Sequence, residues 1–202
     1  MRLGYYNMSQ TIQYYDHHAD LFFQNTYQVD MESLYTSFTR YLPKHAKILD
    51  LGCGSGRDTL AFLQKGYLVE ALDYSEVLVD KATQLTGLPI RFESFYDLSE
   101  YESYDGVWAC ASLLHCEREK LPNVVQRILN ALKINGICYM SFKYGNQERE
   151  KDGRNFTDLD EVLANDLFEL FDNIILLQQW ITIDKRPSHK EEWLNVIIRK
   201  IC

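Results

Sequence analysis

Three features of the chain predict an α/β fold: a seven-stranded, mainly parallel sheet with helices on both faces and an antiparallel C-terminal hairpin at one edge. Short apolar runs alternate with helical patterns from residue 46 onward, the pattern of strands joined by covering helices. A glycine-rich segment, Gly52-Cys53-Gly54-Ser55-Gly56, stands where the first run hands over to a helix. The last two apolar runs are separated only by the charged stretch DKRPSHKE. That connection is too short for a crossover helix, so the two strands pair antiparallel.

Residues 11–28 carry Tyr15, Phe22 and Phe23 at helical spacing, and residues 31–41 read as a second amphipathic helix with Asp30 as its cap. Residues 1–42 form a helical cover and residues 43–202 the core of one domain. Strand 46–51 (AKILDL) leads through the glycines into helix 57–65. Then come strand 67–72, a helix over 75–85 capped by Ser75, and strand 89–93. Strand 104–110, helix 121–132 and strand 136–142 follow. A helix over 157–168 opens with Thr157 and Asp160 as a capping pair. Strands 174–183 and 192–199 end the chain. The first several residues and the polar stretch 145–156 are expected to lack regular structure.

Composition narrows the class. With 202 residues, 46% of them hydrophobic and 25% charged, the chain fits one globular domain. No apolar run approaches the roughly 20 residues of a membrane-spanning helix. The opening MRLGYYNMSQ lacks the apolar centre of a secretory signal. The five cysteines, Cys53, Cys110, Cys116, Cys138 and Cys202, are odd in number and form no C-x-x-C pair. They predict a cytoplasmic location, without a disulfide framework or zinc site. His17 and His18 are adjacent and point apart on a helix, so no metal is expected there either. A net charge of −8 favours a small-molecule partner over nucleic acid.

The glycine segment carries the chemistry. Gly52, Gly54 and Gly56 permit a tight turn and close approach of a ligand, and the helix behind them presents unpaired N–H groups. A dinucleotide fingerprint places a third glycine at position 57, where this chain has Arg57, which weakens a pyrophosphate reading. Asp73 ends the next strand, 23 residues after Asp50. A carboxylate there accepts hydrogen bonds from two ribose hydroxyls and repels a 2′-phosphate.

LDLGCGSGRDT at this point resembles motif I of the class I S-adenosylmethionine-dependent methyltransferases. LDYSEVLVDKA resembles their motif II, YDGVWACASLLHC their fourth-strand motif, and ILNALKINGICYMSF the following helix and strand. The likeness runs over about residues 10–200 and points to small bacterial enzymes of the tellurite-resistance and small-molecule type. It implies a Rossmann-like fold with S-adenosyl-L-methionine as cofactor and S-adenosyl-L-homocysteine as product. It implies that Asp50 faces the methionine amino group and that Gly52, Gly54 and Gly56 line the methionine and ribose, with Arg57 beside them. Asp73 would hold the ribose and Tyr74 would pack near the adenine. Phe95 and Tyr96 stand where many relatives have an acid for the adenine amino group, and Asp97 follows them. The N-terminal helix resembles the cover of such enzymes, with Tyr14, Tyr15 and Phe22 as its aromatics; such faces attract a sulfonium cation.

Methyl transfer needs an aligned, desolvated nucleophile and, for hydroxyls and amines, removal of a proton. His115, after the fourth strand, is the candidate base. Lys143, Tyr144, Arg149, Arg154 and Arg186 form a local basic excess in an acidic chain and are candidates for an anionic substrate group. Trp193 is core or pocket wall. The expected function is methylation of a small molecule by a monomer or homodimer. The alternatives are a tRNA or other nucleic-acid methyltransferase and a non-catalytic S-adenosylmethionine-binding protein. ASLLH stands after the fourth strand in place of the NPPY-type tetrad of amino-methylating DNA enzymes, which argues against DNA bases.

Overall fold

The computed structural model describes residues 2–186 and 189–202, with side chains from residue 10 onward. Pro187 and Ser188, in the charged connection read from the sequence, lie outside the described residues. The chain opens with α1 (Arg2–Thr26) and α2 (Glu32–Thr39). The core begins with β1 (Lys47–Leu51), α3 (Arg57–Gln64), β2 (Leu68–Asp73), α4 (Glu76–Thr86), β3 (Arg91–Phe92) and β4 (Tyr104–Ala109). It continues through α5 (Leu121–Ala131), β5 (Leu132–Lys143), β6 (Glu148–Lys151) and β7 (Arg154–Thr157). It closes with α6 (Glu161–Phe168), β8 (Ile174–Ile183) and β9 (Glu192–Lys200).

Seven strands form one sheet in the order β3-β2-β1-β4-β5-β9-β8. The first five run parallel, and β9 runs antiparallel to both neighbours. The predicted edge hairpin is therefore present as β8–β9. The order reverses at β1, so the carboxyl ends of β1 and β4 flank the crevice where such sheets bind ligands.

Alternation along the strands sorts the two cores. Leu49, Leu51, Val107, Ala109 and Met140 pack with α5 and α6 on one face. Ile48, Trp108, Tyr139 and Ile197 pack with Phe38 of α2 and Phe62 of α3 on the other. Trp108 and Tyr139 stack at 3.9 Å between ring centroids, and both are fully buried.

Several boundaries differ from expectation for local reasons. The stretch 145–156 is not irregular: β6 and β7 pair as a separate two-stranded sheet. Its polar composition reflects a hairpin exposed on one side, with only Phe156 and Thr157 buried. Ser75 caps α4 by accepting from the Leu78 N–H. The capping pair at Thr157 does not form, because Thr157 ends β7 and donates to the Cys116 carbonyl at 2.6 Å. Asp160 alone caps α6, through the Leu163 N–H. Asp30 stands one residue before the cap position of α2 and accepts from the Glu32 N–H.

Helix α1 lies across α4 and β7. Asp16 accepts from the Ser75 hydroxyl at 2.5 Å, and Asp20 pairs with Lys81. At its other end the Thr11 hydroxyl accepts from the Asn155 N–H. The helix thus spans the carboxyl ends of the strands. Among the described residues no helix is long and apolar enough to cross a membrane.

Candidate active site

A cavity of about 360 Å³ opens at the carboxyl ends of β1, β2 and β4, beneath α1. That volume falls within the roughly 300–1,000 Å³ of small-molecule sites. It has two ends of different construction.

One end is made of the glycine loop. Gly52 has φ +79° and Gly56 the same value, a region that side-chain-bearing residues enter at a cost. A Cβ at Gly52 would stand 2.5 Å from Ser112 Cβ, so the loop and the β4 exit close on one another only because Gly52 lacks it. Asp73 organises the loop. It accepts from the Gly54 N–H at 2.8 Å and the Ser75 N–H at 2.9 Å. Burial raises its carboxyl above the usual carboxylate range, and those N–H groups oppose the shift. Tyr74 stacks on Phe92 at the rim, and Phe95 forms wall nearby, 7% exposed.

Asp50 lies one layer further in. It is 2% exposed, accepts from the Thr59 hydroxyl at 2.6 Å, and is pushed up to about 8 by burial and the Asp58 charge. It does not line the cavity. Arg57 does, and forks onto its neighbour Asp58 at 2.6 and 2.9 Å. Asp58 also accepts from Tyr35 and from the Trp108 indole. Burial alone would raise the Asp58 carboxyl; the Arg57 guanidinium together with the hydrogen bonds from Tyr35 and Trp108 holds it below the usual range.

The other end gathers side chains from α1, the β4 exit, β5, β7 and the connection before β9. Ala111 has φ +54° and donates its N–H to Ser141 Oγ at 2.8 Å. This strained residue turns Ser112 and His115 into the cavity wall. His115 Nε2 lies 2.8 Å from the Tyr15 hydroxyl, and Nδ1 lies 2.7 Å from the Asn155 carbonyl oxygen. Burial lowers the imidazole to about 4, helped by the charges of Arg154 and Lys143. Arg154 lays its guanidinium 3.9 Å above the Tyr14 ring, and Lys143 stands 5.1 Å above Phe156. Phe22 bridges the two ends, packing edge-on to Tyr15 and facing Gly54.

The expected site residues divide accordingly. Gly52, Gly54, Arg57, Asp73, Tyr74, Phe95, Tyr15, Phe22, His115, Lys143, Arg154 and Arg186 all line the cavity. Gly56 stands just behind it, where a Cβ would meet Ala82 of α4. Others face elsewhere. The Tyr96 hydroxyl turns inward to Cys116, and Tyr14 lies behind Arg154, stacked on His18. Tyr144 donates to Glu161 on the outer surface. Arg149 forks onto the buried Asp158 at 2.8 and 3.0 Å; with Tyr144 it borders only a shallower outer depression. Arg186 is engaged by Asp184, which also takes the Trp193 indole N–H. Asp97 is exposed, and Glu93 lines the wall in its place.

Sequence reasoning passed over Ser112, Asp58 and Glu93. Ser112 and Glu93 stand just beyond the carboxyl ends of β4 and β3, and Asp58 in the first turn of α3 behind the glycine loop, the region that binds ligands in such sheets. Ser112 is informative: its hydroxyl is buried, lines the cavity and has no hydrogen-bond partner among the described residues. A polar cradle with an orphaned hydroxyl, bare loop backbone and a ribose-ready carboxylate fits an adenosyl amino acid.

Residues 48–136 match the model of a methyltransferase domain. The chain is 21% identical, over 75% of its length and 77% of the relative's, to an uncharacterised methyltransferase of Staphylococcus carnosus. It is 27% identical to a probable S-adenosyl-L-methionine-dependent methyltransferase, TehB, of Haemophilus influenzae, over 45% of this chain and 33% of that protein. Among solved structures, it superposes on the 1,6-didemethyltoxoflavin-N1-methyltransferase of Burkholderia thailandensis, which holds 1,6-didemethyltoxoflavin and S-adenosylhomocysteine. The TM-score is 0.81 at 20% identity, covering 100% of this chain and 92% of that one. The matched methyltransferase-domain segment begins at Ile48 in β1 and ends at Gly136 in β5, enclosing the glycine loop and the sheet's switch point, and with these relatives it supports a class I S-adenosylmethionine-dependent methyltransferase.

Proposed function

We propose that this protein methylates a small anionic molecule. The observation that carries the reading is the cavity's two-ended construction, with the loop and Asp73 at one end and Arg154 and Lys143 at the other. The cofactor supplies an electrophilic methyl group on a sulfonium sulfur. Asp73 has acceptor capacity left for the ribose hydroxyls beside its two amide donors. Ser112 Oγ and the free Nη1 of Arg57 would meet the methionine end. Asp50, whose carboxyl burial pushes up to about 8, lies behind the loop and would reach the ammonium through a water. Tyr74 and Phe95 would flank the adenine, and Glu93 would accept from its amino group.

The acceptor would dock its anionic group on Arg154 and Lys143. Arg154 is the better anchor: it pairs with Asp152, 3.4 Å away and 59% exposed, and its buried Nε has no partner among the described residues. Lys143 has Glu191 at 3.7 Å, and burial lowers its ammonium below the usual lysine range. Arg149 and Arg186 are already neutralised by Asp158 and Asp184. That pairing favours a small acceptor over a phosphate backbone, which needs a row of free cations. The Burkholderia thailandensis enzyme, whose acceptor is likewise a small molecule, supports the choice. All five cysteines are unpaired, in keeping with work in a reducing cytoplasm.

Calorimetric titration with S-adenosylmethionine, S-adenosylhomocysteine and NAD tests the cofactor end. Binding of both adenosyl ligands near the micromolar range, on the order of −8 kcal/mol, with none for NAD, is expected. No binding of either adenosyl ligand would sink the reading. S-adenosylhomocysteine release across a panel of small carboxylates and their methyl esters tests the acceptor end. Preference for the free acids is expected.

A further inference from the structure

Tyr15 stands where the two ends of the cavity meet, and its hydrogen bond has a determinate direction. The Asn155 carbonyl oxygen only accepts, so His115 Nδ1, 2.7 Å away, carries the ring proton. Nε2 then presents a lone pair, and the Tyr15 hydroxyl at 2.8 Å donates to it. The phenol oxygen keeps its own lone pairs toward the Arg154 guanidinium and the cavity that Tyr15 lines. Asn155 is fixed in turn by its N–H bond to Thr11 and by β6–β7 pairing. The result is a continuous chain of donors from the cavity through Tyr15 to His115.

We propose that Tyr15 and His115 act as one proton-accepting pair, and that the acceptor is a small acid bearing an ionisable O–H or N–H beside its anionic group. This rests on the methyl-transfer reading above. Tyr15 touches the acceptor and is the catalytic residue; His115 stores the proton through it. The acceptor's proton passes to Tyr15 Oη as Tyr15's own proton passes to His115 Nε2, leaving an imidazolium with both nitrogens protonated. The electron pair freed on the acceptor forms the bond to the methyl carbon. The methyl–sulfur bond breaks with its pair remaining on sulfur, which becomes a neutral thioether. The imidazolium returns its proton to water through Tyr15 once the product has left.

The charges around the pair explain why it is idle without its substrate. Arg154 of β7 lies 5.9 Å from the Tyr15 ring. Lys143 of β5 and Arg186 of the β8–β9 connection share the cavity, as do Asp73 at the end of β2 and Glu191 ahead of β9. After burial, Arg154 and Lys143 are what depress the imidazole. A carboxylate docked on those two cations offsets their charge and raises the basicity of His115 only when the acceptor is in place. A soft nucleophile such as a thioether or a chalcogen anion has no proton to give and leaves the pair unused.

A chromogenic phenol with a carboxylate, 4-hydroxy-3-nitrobenzoate, reads the pair without turnover. It is titrated with acid in the presence of protein saturated with S-adenosylhomocysteine, following the colour of the phenolate. The phenol is expected to ionise at least about tenfold more readily than in water, a midpoint shift of about one pH unit. Tyr15→Phe and His115→Gln should each restore the behaviour seen in water while keeping S-adenosylhomocysteine affinity within about threefold. If Tyr15→Phe loses the cofactor analogue, His115→Gln decides alone. A shift that survives in His115→Gln assigns it to the cations and overturns the proposal, as does a wild type that produces none. Failure of the wild type to bind S-adenosylhomocysteine strikes the methyl-transfer reading instead.

Discussion

The two ends of the cavity are built on opposite plans. The cofactor end uses consecutive residues and mostly backbone. Gly52 through Arg57 form one turn, and Asp73 braces it from the neighbouring strand through the Gly54 and Ser75 amides. The end proposed for the acceptor uses groups remote along the chain, as in the contact between the Thr11 hydroxyl and the Asn155 N–H, 144 positions apart. A backbone-built site tolerates few substitutions and announces itself in the sequence. A side-chain-built site is free to vary residue by residue, so a shared sheet can keep one cofactor and change acceptors.

Asp73→Ala should break the cofactor end outright. It removes two charge-assisted ribose contacts and the brace of the loop, a loss of about 4 kcal/mol or ~1,000-fold in S-adenosylhomocysteine affinity. Calorimetry checks it, and a loss below about tenfold would show that Asp73 does not carry the ribose.

At the acceptor end, acid should unfasten His115. Its imidazole is lowered to about 4 in the folded chain from an unfolded value near 6.5. The unfolded chain therefore binds the extra proton first. The stability due to neutral His115 is fully present above about pH 6.5 and is lost as pH falls toward 4, by about 3 kcal/mol at the acid limit. Melting curves of wild type and His115→Gln across that window should converge at low pH. Parallel curves would contradict the burial. Comparing the two isolates His115 from Asp50, whose raised carboxyl works in the opposite sense as pH rises.

Arg154→Ala sharpens the division between the ends. It should raise KM for an anionic acceptor by ~30-fold, about 2 kcal/mol, and leave cofactor affinity unchanged. Arg149→Ala gives the smallest kinetic effect, with KM within about twofold. Its cost falls on stability, because it leaves the buried Asp158 carboxylate unpaired, about 1–3 kcal/mol by thermal melting. A large KM change in Arg149→Ala would erase the distinction drawn between the two arginines.

The same contrast explains what could be read in advance. The hairpin at the sheet edge followed from a largely charged connection of eight residues between two apolar runs, because no crossover helix fits such a gap. The Ser75 cap followed from a local hydrogen bond. By contrast, Thr157 looked like a cap only because the hairpin before it was not anticipated. Arg149 and Arg154 look equivalent in the sequence. Their positions on β6 and β7 send one to Asp158 and the other to Tyr14.

By itself the sequence determined the sheet, the glycine turn and the carboxylate at the end of the next strand. Those depend on strand periodicity, on φ values that glycine alone enters cheaply, and on a carboxylate one strand away. Only the tertiary structure decided which cations are tightly paired, that among the described residues Ser112 is left without a partner, and that Tyr15 meets His115. Those outcomes depend on side chains remote in sequence competing for the same partners, and that competition is settled only when the chain has packed.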